Sequence, residues 1–88
     1  KERTEHETRW EALQREGVVL GLGRERETVL VDPERWQAVL STEKAPSAEA
    51  IRAHFGWRYV FLADSRTGRK VGWYCIETGY RTAQTADE

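Results

Sequence analysis

Trp57-Arg58-Tyr59-Val60-Phe61-Leu62-Ala63, Asp64-Ser65-Arg66-Thr67-Gly68-Arg69, Lys70-Val71-Gly72-Trp73-Tyr74-Cys75-Ile76-Glu77 is the stretch that decides the fold. Two runs rich in β-branched and aromatic residues flank six polar ones, which reads as a β-hairpin. Gly68 suits the left-handed position of a type I turn with a bulge. Along the first strand Trp57, Tyr59 and Phe61 share one face and Val60 and Leu62 the other, so the middle of this hairpin is expected to be covered on both sides. In the second strand Val71, Trp73 and Cys75 share a face, and Cys75 is expected there as a buried, inert thiol.

Working back toward the N-terminus, Trp57 is preceded by a helical pattern. Ser47 is placed to cap a helix carrying Ile51 and Phe55, and Gly56 to stop it. The segment Ser41 to Ser47, which contains Pro46, is expected to separate that helix from an earlier short one. The earlier helix opens with Asp32-Pro33-Glu34, where Asp caps and Pro fills the first position, and carries Trp36, Val39 and Leu40 on one face.

Before it, Val18-Val19-Leu20-Gly21-Leu22 and Thr28-Val29-Leu30-Val31 flank the polar stretch Gly23 to Glu27 and form a second hairpin. The first element is a helix from about Glu5 to Glu16. Thr4 with Glu7 makes a capping box, Glu5–Arg9 and Glu11–Arg15 are i,i+4 pairs, and His6, Trp10 and Leu13 form one stripe that Gly17 ends. The expected class is therefore α+β, in the order α-β-β-α-α-β-β, with two antiparallel hairpins and short helices. Residues 1–81 make a single domain, since 88 residues hold only one core; residues 82–88 are expected to be a polar, disordered tail.

The composition excludes several classes. Nine aromatics among 88 residues argue against a disordered chain. The longest apolar runs fall far short of the roughly 18 residues that cross a bilayer, and no apolar segment opens the chain, so no membrane or secretory role is expected. The single cysteine, Cys75, cannot form an intramolecular disulfide, which points to a reducing cytoplasm. Charge is uneven: residues 1–50 hold eight Lys/Arg against eleven Asp/Glu, and residues 51–81 hold six against two. Such asymmetry describes either a dipolar surface that steers a charged partner or ordinary solvated faces.

Catalytic chemistry has little to work with. The only histidines are His6 and His54, each on a helix beside apolar residues, and neither has a nucleophile placed for it by sequence. Gly21-Leu22-Gly23 lacks the third glycine of a dinucleotide fingerprint and the Gly-Lys-Ser/Thr of a phosphate loop. The carboxylates of the first helix alternate with arginines, as on a solvated face. No catalytic residue, metal site or cofactor is expected.

One constellation remains. Trp57, Arg58, Tyr59, Arg66, Arg69, Lys70, Trp73 and Tyr74, with Tyr80 and Arg81 after the strand, interleave guanidinium groups with aromatic rings. That mixture makes protein-interface hot spots, and equally grips phosphates and stacks bases. The competing reading is that the rings are the core of a small sheet and the cations its solvated turn.

The block Val18 through Trp36, followed by Val39-Leu40 and preceded by Trp10, Leu13 and Gly17, resembles the first-half signature of Phd/YefM-type antitoxins, in which a helix and two short strands lead through Ser/Asp-Pro-Glu-x-aromatic into another helix. The resemblance covers residues 10–41. It implies a small dimeric regulator that binds operator DNA through its first half and neutralises a toxin through its second. The expected function is a non-enzymatic regulatory or inhibitory protein that acts by binding another protein, antitoxin-like or of the kind encoded by phages and mobile elements. A homodimer is among the expected assemblies. A nucleic-acid-binding regulator using the same basic, aromatic hairpin is the alternative.

Overall fold

A computed structural model describes residues 4–82. The elements run α1 (Glu5–Arg15), β1 (Val19–Leu22), β2 (Thr28–Val31), α2 (Pro33–Ala38), α3 (Ser41–Phe55), β3 (Tyr59–Asp64), β4 (Lys70–Cys75) and β5 (Gly79–Thr82). The class is α+β. The strands form one sheet in the order β1-β2-β3-β4-β5, antiparallel throughout except where β2 and β3 run parallel. That parallel pair follows from chain path: β2 returns to β3 only after α2 and α3, and a crossover of that length brings the second strand in alongside the first. The two expected hairpins thus share one sheet.

Sequence signals account for most element ends. Thr4 Oγ1 accepts a hydrogen bond from the Glu7 amide at 3.1 Å while Glu7 Oε1 accepts from the Thr4 amide at 3.2 Å, the reciprocal box that satisfies two orphan donors. Gly68 has φ +79° in the β3–β4 turn, a conformation that only glycine adopts without steric cost. At α2, Pro33 occupies the first turn as expected, but the Asp32 carboxylate makes no capping bond. It lies instead 3.4 Å from Arg35 and 3.6 Å from Arg66.

Three expectations are corrected. First, Ser41–Ser47 is not a break: α3 runs unbroken through Pro46, and Ser47, expected to cap it, is buried inside it. Proline removes a single amide donor, and the helix persists because Ala48 and Ile51 pack in the core against the sheet and Ala50 is likewise fully buried. Secondly, a fifth strand follows the hairpin. Gly79 pairs with Cys75 and Tyr80 with Tyr74, so Tyr80 and Arg81 belong to the sheet. Thr82, placed by sequence in the polar tail, pairs with Gly72; the rest of that expected tail lies outside the described residues. Thirdly, β3 begins at Tyr59, so Trp57 stands before the strand and off its face.

All three helices meet the same side of the sheet. The core joins Trp10 and Leu13 of α1, Trp36 of α2 and Ala48 and Ile51 of α3 to Val29, Val31, Val60 and Leu62 of the central strands. No helix of the described residues is long and apolar enough to cross a membrane.

Candidate interaction face

Strand pairing fixes which side chains share the sheet face that carries no helix among the described residues. Residues opposite each other across a ladder point the same way, so Thr28, Phe61, Trp73 and Arg81 form one row across β2 to β5. Leu30 and Ala63 form a row beside it, and Tyr59, Cys75 and Gly79 another. The small residues Thr28 and Ala63 are buried at the floor, whereas Phe61 and Trp73 are half-buried and Tyr59 is 37% exposed. Three aromatic rings therefore stand above a floor of small side chains, with no second layer on them among the described residues.

The geometry of this patch is ordered by its own contacts. Tyr59 meets Phe61 edge to face with ring centroids 5.3 Å apart, an arrangement worth about 0.5–1.5 kcal/mol beyond burial. Lys70 Nζ sits 5.3 Å from the Phe61 ring centroid and 2.6 Å from Glu25 Oε1. The ammonium thus ties the β3–β4 turn to the β1–β2 turn, with its charge already matched. At the far edge Cys75 Sγ lies 3.1 Å from Thr78 Oγ1.

A β-bulge determines this composition. Leu62 pairs with Gly72 but Ala63 pairs with Lys70, leaving Val71 as the extra residue. Counting evenly back from the turn would set Leu62 against Val71 and Val60 against Trp73, which would drive Trp73 and Cys75 into the core. The extra residue reverses that. Val71 packs against the core cluster, and Trp73 and Cys75 move to the uncovered face. The expected burial of Cys75 is corrected accordingly, since it is half-exposed.

The structure separates the residues singled out by sequence. Lys70, Trp73 and Arg81 lie on the uncovered face. Tyr74 and Tyr80 pair with each other on the helix-covered face. Burial raises the Tyr74 hydroxyl pKa, with the nearby Glu49 charge adding to the effect. Tyr80 Oη accepts from Trp36 Nε1 at 3.1 Å. Trp57 stacks on Phe55 at the end of α3, centroids 4.3 Å apart. Arg66 faces Asp32 and Glu34 at 3.6 and 3.9 Å. Arg69 lines a cavity beside α2, and Arg58 is exposed. The pleat is the reason: Tyr74 and Trp73 are chain neighbours, so they cannot share a face. Phe61, absent from the sequence-derived set, is at the centre of the patch; its alternation with Val60 and Leu62 marked its face, while its opposition to Trp73 depended on the bulge.

Behind the sheet a polar cluster links α1, α3 and β4. Glu49 receives Arg52 Nε and Nη2 at 2.8 and 2.6 Å and has His6 Nε2 at 3.9 Å. The Arg52 hydrogen bonds hold the Glu49 carboxyl below its ordinary pKa, against an opposing push from burial. Among the described residues no group of three or more His, Cys, Asp and Glu side chains is placed to hold a metal ion. Comparison with protein-family models, curated proteins and solved structures finds no match to this chain.

Proposed function

We propose that this domain is a non-enzymatic regulatory or inhibitory module that binds another protein through its helix-free sheet face. The observation that carries the reading is the group Tyr59, Phe61 and Trp73, three rings presented together over a small-residue floor. Aromatic anchors of this kind dominate interface energetics, and a protein partner would exclude water from all three. The nearby cations favour protein over polyanion, because Lys70 is matched by Glu25 and Arg66 by Asp32 and Glu34. Neutralised cations contribute little to phosphate binding. An antitoxin-like inhibitor is one form of this reading, supported by the resemblance over residues 10–41, and the lone Cys75 fits a reducing, cytoplasmic setting.

Nucleic acid is the second reading. Rings flanked by Arg81 on an open sheet can also stack unpaired bases. Affinity capture from a host lysate, read by mass spectrometry for the wild type and the double variant Phe61→Ser/Trp73→Ser in parallel, tests the first. Both proteins are checked for native circular dichroism. Proteins retained by the wild type and lost by the variant are the expected result. An identical set of captured proteins, or none, overturns the reading. A wild type that sediments as a dimer beside a monomeric variant identifies the partner as a second copy.

A further inference from the structure

A cavity of about 510 Å³ lies on the opposite side of the sheet from the aromatic patch, between α2, the start of α3, the β3–β4 turn and the strands β4 and β5. Its size is within the range of small-molecule sites, roughly 300–1,000 Å³. Its floor is apolar and built for flatness. Gly72 has no side chain where a Cβ would collide with the Tyr80 ring and hydroxyl, so the ring can lie down across β4. Trp36, 3% exposed, holds it there through the indole N–H. Val71, turned to this side by the bulge, extends the floor.

The polar groups around that floor have a sign. Tyr80 Oη accepts from Trp36, and its own O–H has no acceptor among the described residues. Lys44 Nζ donates one hydrogen to the Val39 carbonyl at 2.9 Å and keeps two. The Arg69 guanidinium has no carboxylate partner among the described residues. Asp64, the one carboxylate of the lining among the described residues, accepts at Oδ1 from the Arg66 amide at 2.7 Å. Lys70, also in the lining, is matched by Glu25, so that the two cations Lys44 and Arg69 stand against the single Asp64 charge. The surplus is therefore of donors and positive charge over an aromatic surface, the complement of a flat apolar body bearing an anionic acceptor.

We propose that this cavity binds a small aryl carboxylate, its ring on Tyr80 and Val71, beside the edge of the buried Trp36, and its carboxylate drawn to Lys44, Arg69 and the Tyr80 hydroxyl. The site stands independently of the protein-binding reading, since it lies on the other face and shares none of Tyr59, Phe61 and Trp73. The uniformly ¹⁵N-labelled domain titrated with 2-naphthoate, and separately with the neutral 2-naphthamide, tests it. Each of the four tryptophans gives one indole N–H signal, and the assigned Trp36 signal is the readout. The expected result is a saturable shift of Trp36 but not Trp73, at least about tenfold tighter for the carboxylate, the factor that one charge-assisted hydrogen bond supplies. Lys44→Gln/Arg69→Gln is expected to abolish that preference while leaving the remaining spectrum native. No Trp36 shift at millimolar naphthoate overturns the proposal, as does equal affinity for the amide. A response at Trp73 in place of Trp36 overturns it too, by placing the ligand on the aromatic patch.

Discussion

Phe61 lies directly opposite Trp73 across the β3–β4 ladder, on the face that no helix of the described residues covers. Trp36, by contrast, is 3% exposed and hydrogen-bonded to Tyr80 on the other side. The two tryptophans have the same chemistry and opposite situations, so their removal separates folding from surface. Trp36→Ala is expected to lower stability by about 3–5 kcal/mol, as large-to-small changes at buried aromatics do. Trp73→Ala on a half-exposed face is expected to cost about 1 kcal/mol. Urea denaturation of both variants measures this, and a larger loss for Trp73 than for Trp36 would reverse the assignment of the two faces.

The thiol of Cys75 reports on the same bulge. It stands half-exposed beside Tyr59 in register, where a buried position would have followed from an even ladder. A thiol-reactive dye is expected to label the native domain without prior unfolding, one dye per chain, since the chain has a single cysteine. Labelling seen only in denaturant would place Cys75 in the core and remove the bulge from the account.

Val71 also marks where sequence reading stops being sufficient. The α+β class, the capping box at Thr4, the turn at Gly68 and the core role of Trp36 follow from local patterns, because caps, turns and periodicity are set by neighbours in the chain. The aromatic patch follows from register, which a single unpaired residue shifts without leaving any mark in composition. Pro46 misled for the converse reason: a local breaker was overridden by the tertiary burial of Ala48, Ala50 and Ile51. β5 is not legible because Gly79-Tyr80-Arg81-Thr82 lacks the aliphatic and β-branched run that marks the equally short β1 and β2.

Glu49 couples stability to pH. Its folded pKa is lowered, chiefly by the Arg52 hydrogen bonds, so its contribution is present above the unfolded carboxylate value and lost as pH falls through the folded value. Glu49→Gln is expected to be less stable than wild type at neutral pH, with the gap shrinking only as the medium is acidified below about pH 4.3, the unperturbed glutamate value. Thermal melts of the two proteins across that range measure it. A gap that stays constant into strong acid would mean that the carboxylate charge contributes nothing.

The pairing of Lys70 with Glu25 at 2.6 Å, and of Arg66 with Asp32 and Glu34, separates the two binding readings. An exposed pair of this kind adds only about 0–1 kcal/mol to folding. Reversing Arg66, Arg69 and Lys70 to Glu is therefore expected to reduce stability by no more than about 1–2 kcal/mol, leaving a folded protein to test. A nucleic-acid partner requires these cations to release phosphate counterions, so wild-type affinity would fall steeply with salt and the triple reversal would remove both the binding and the slope. A protein partner seated on Tyr59, Phe61 and Trp73 requires the rings more than the charges, with a shallower dependence on salt. Titration of the domain with mixed-sequence single-stranded DNA and RNA at low and moderate salt is expected to show no tight binding to either. Tight binding at low salt that collapses as salt is added, and that the triple reversal abolishes, would make nucleic acid the partner and the rings its stacking platform.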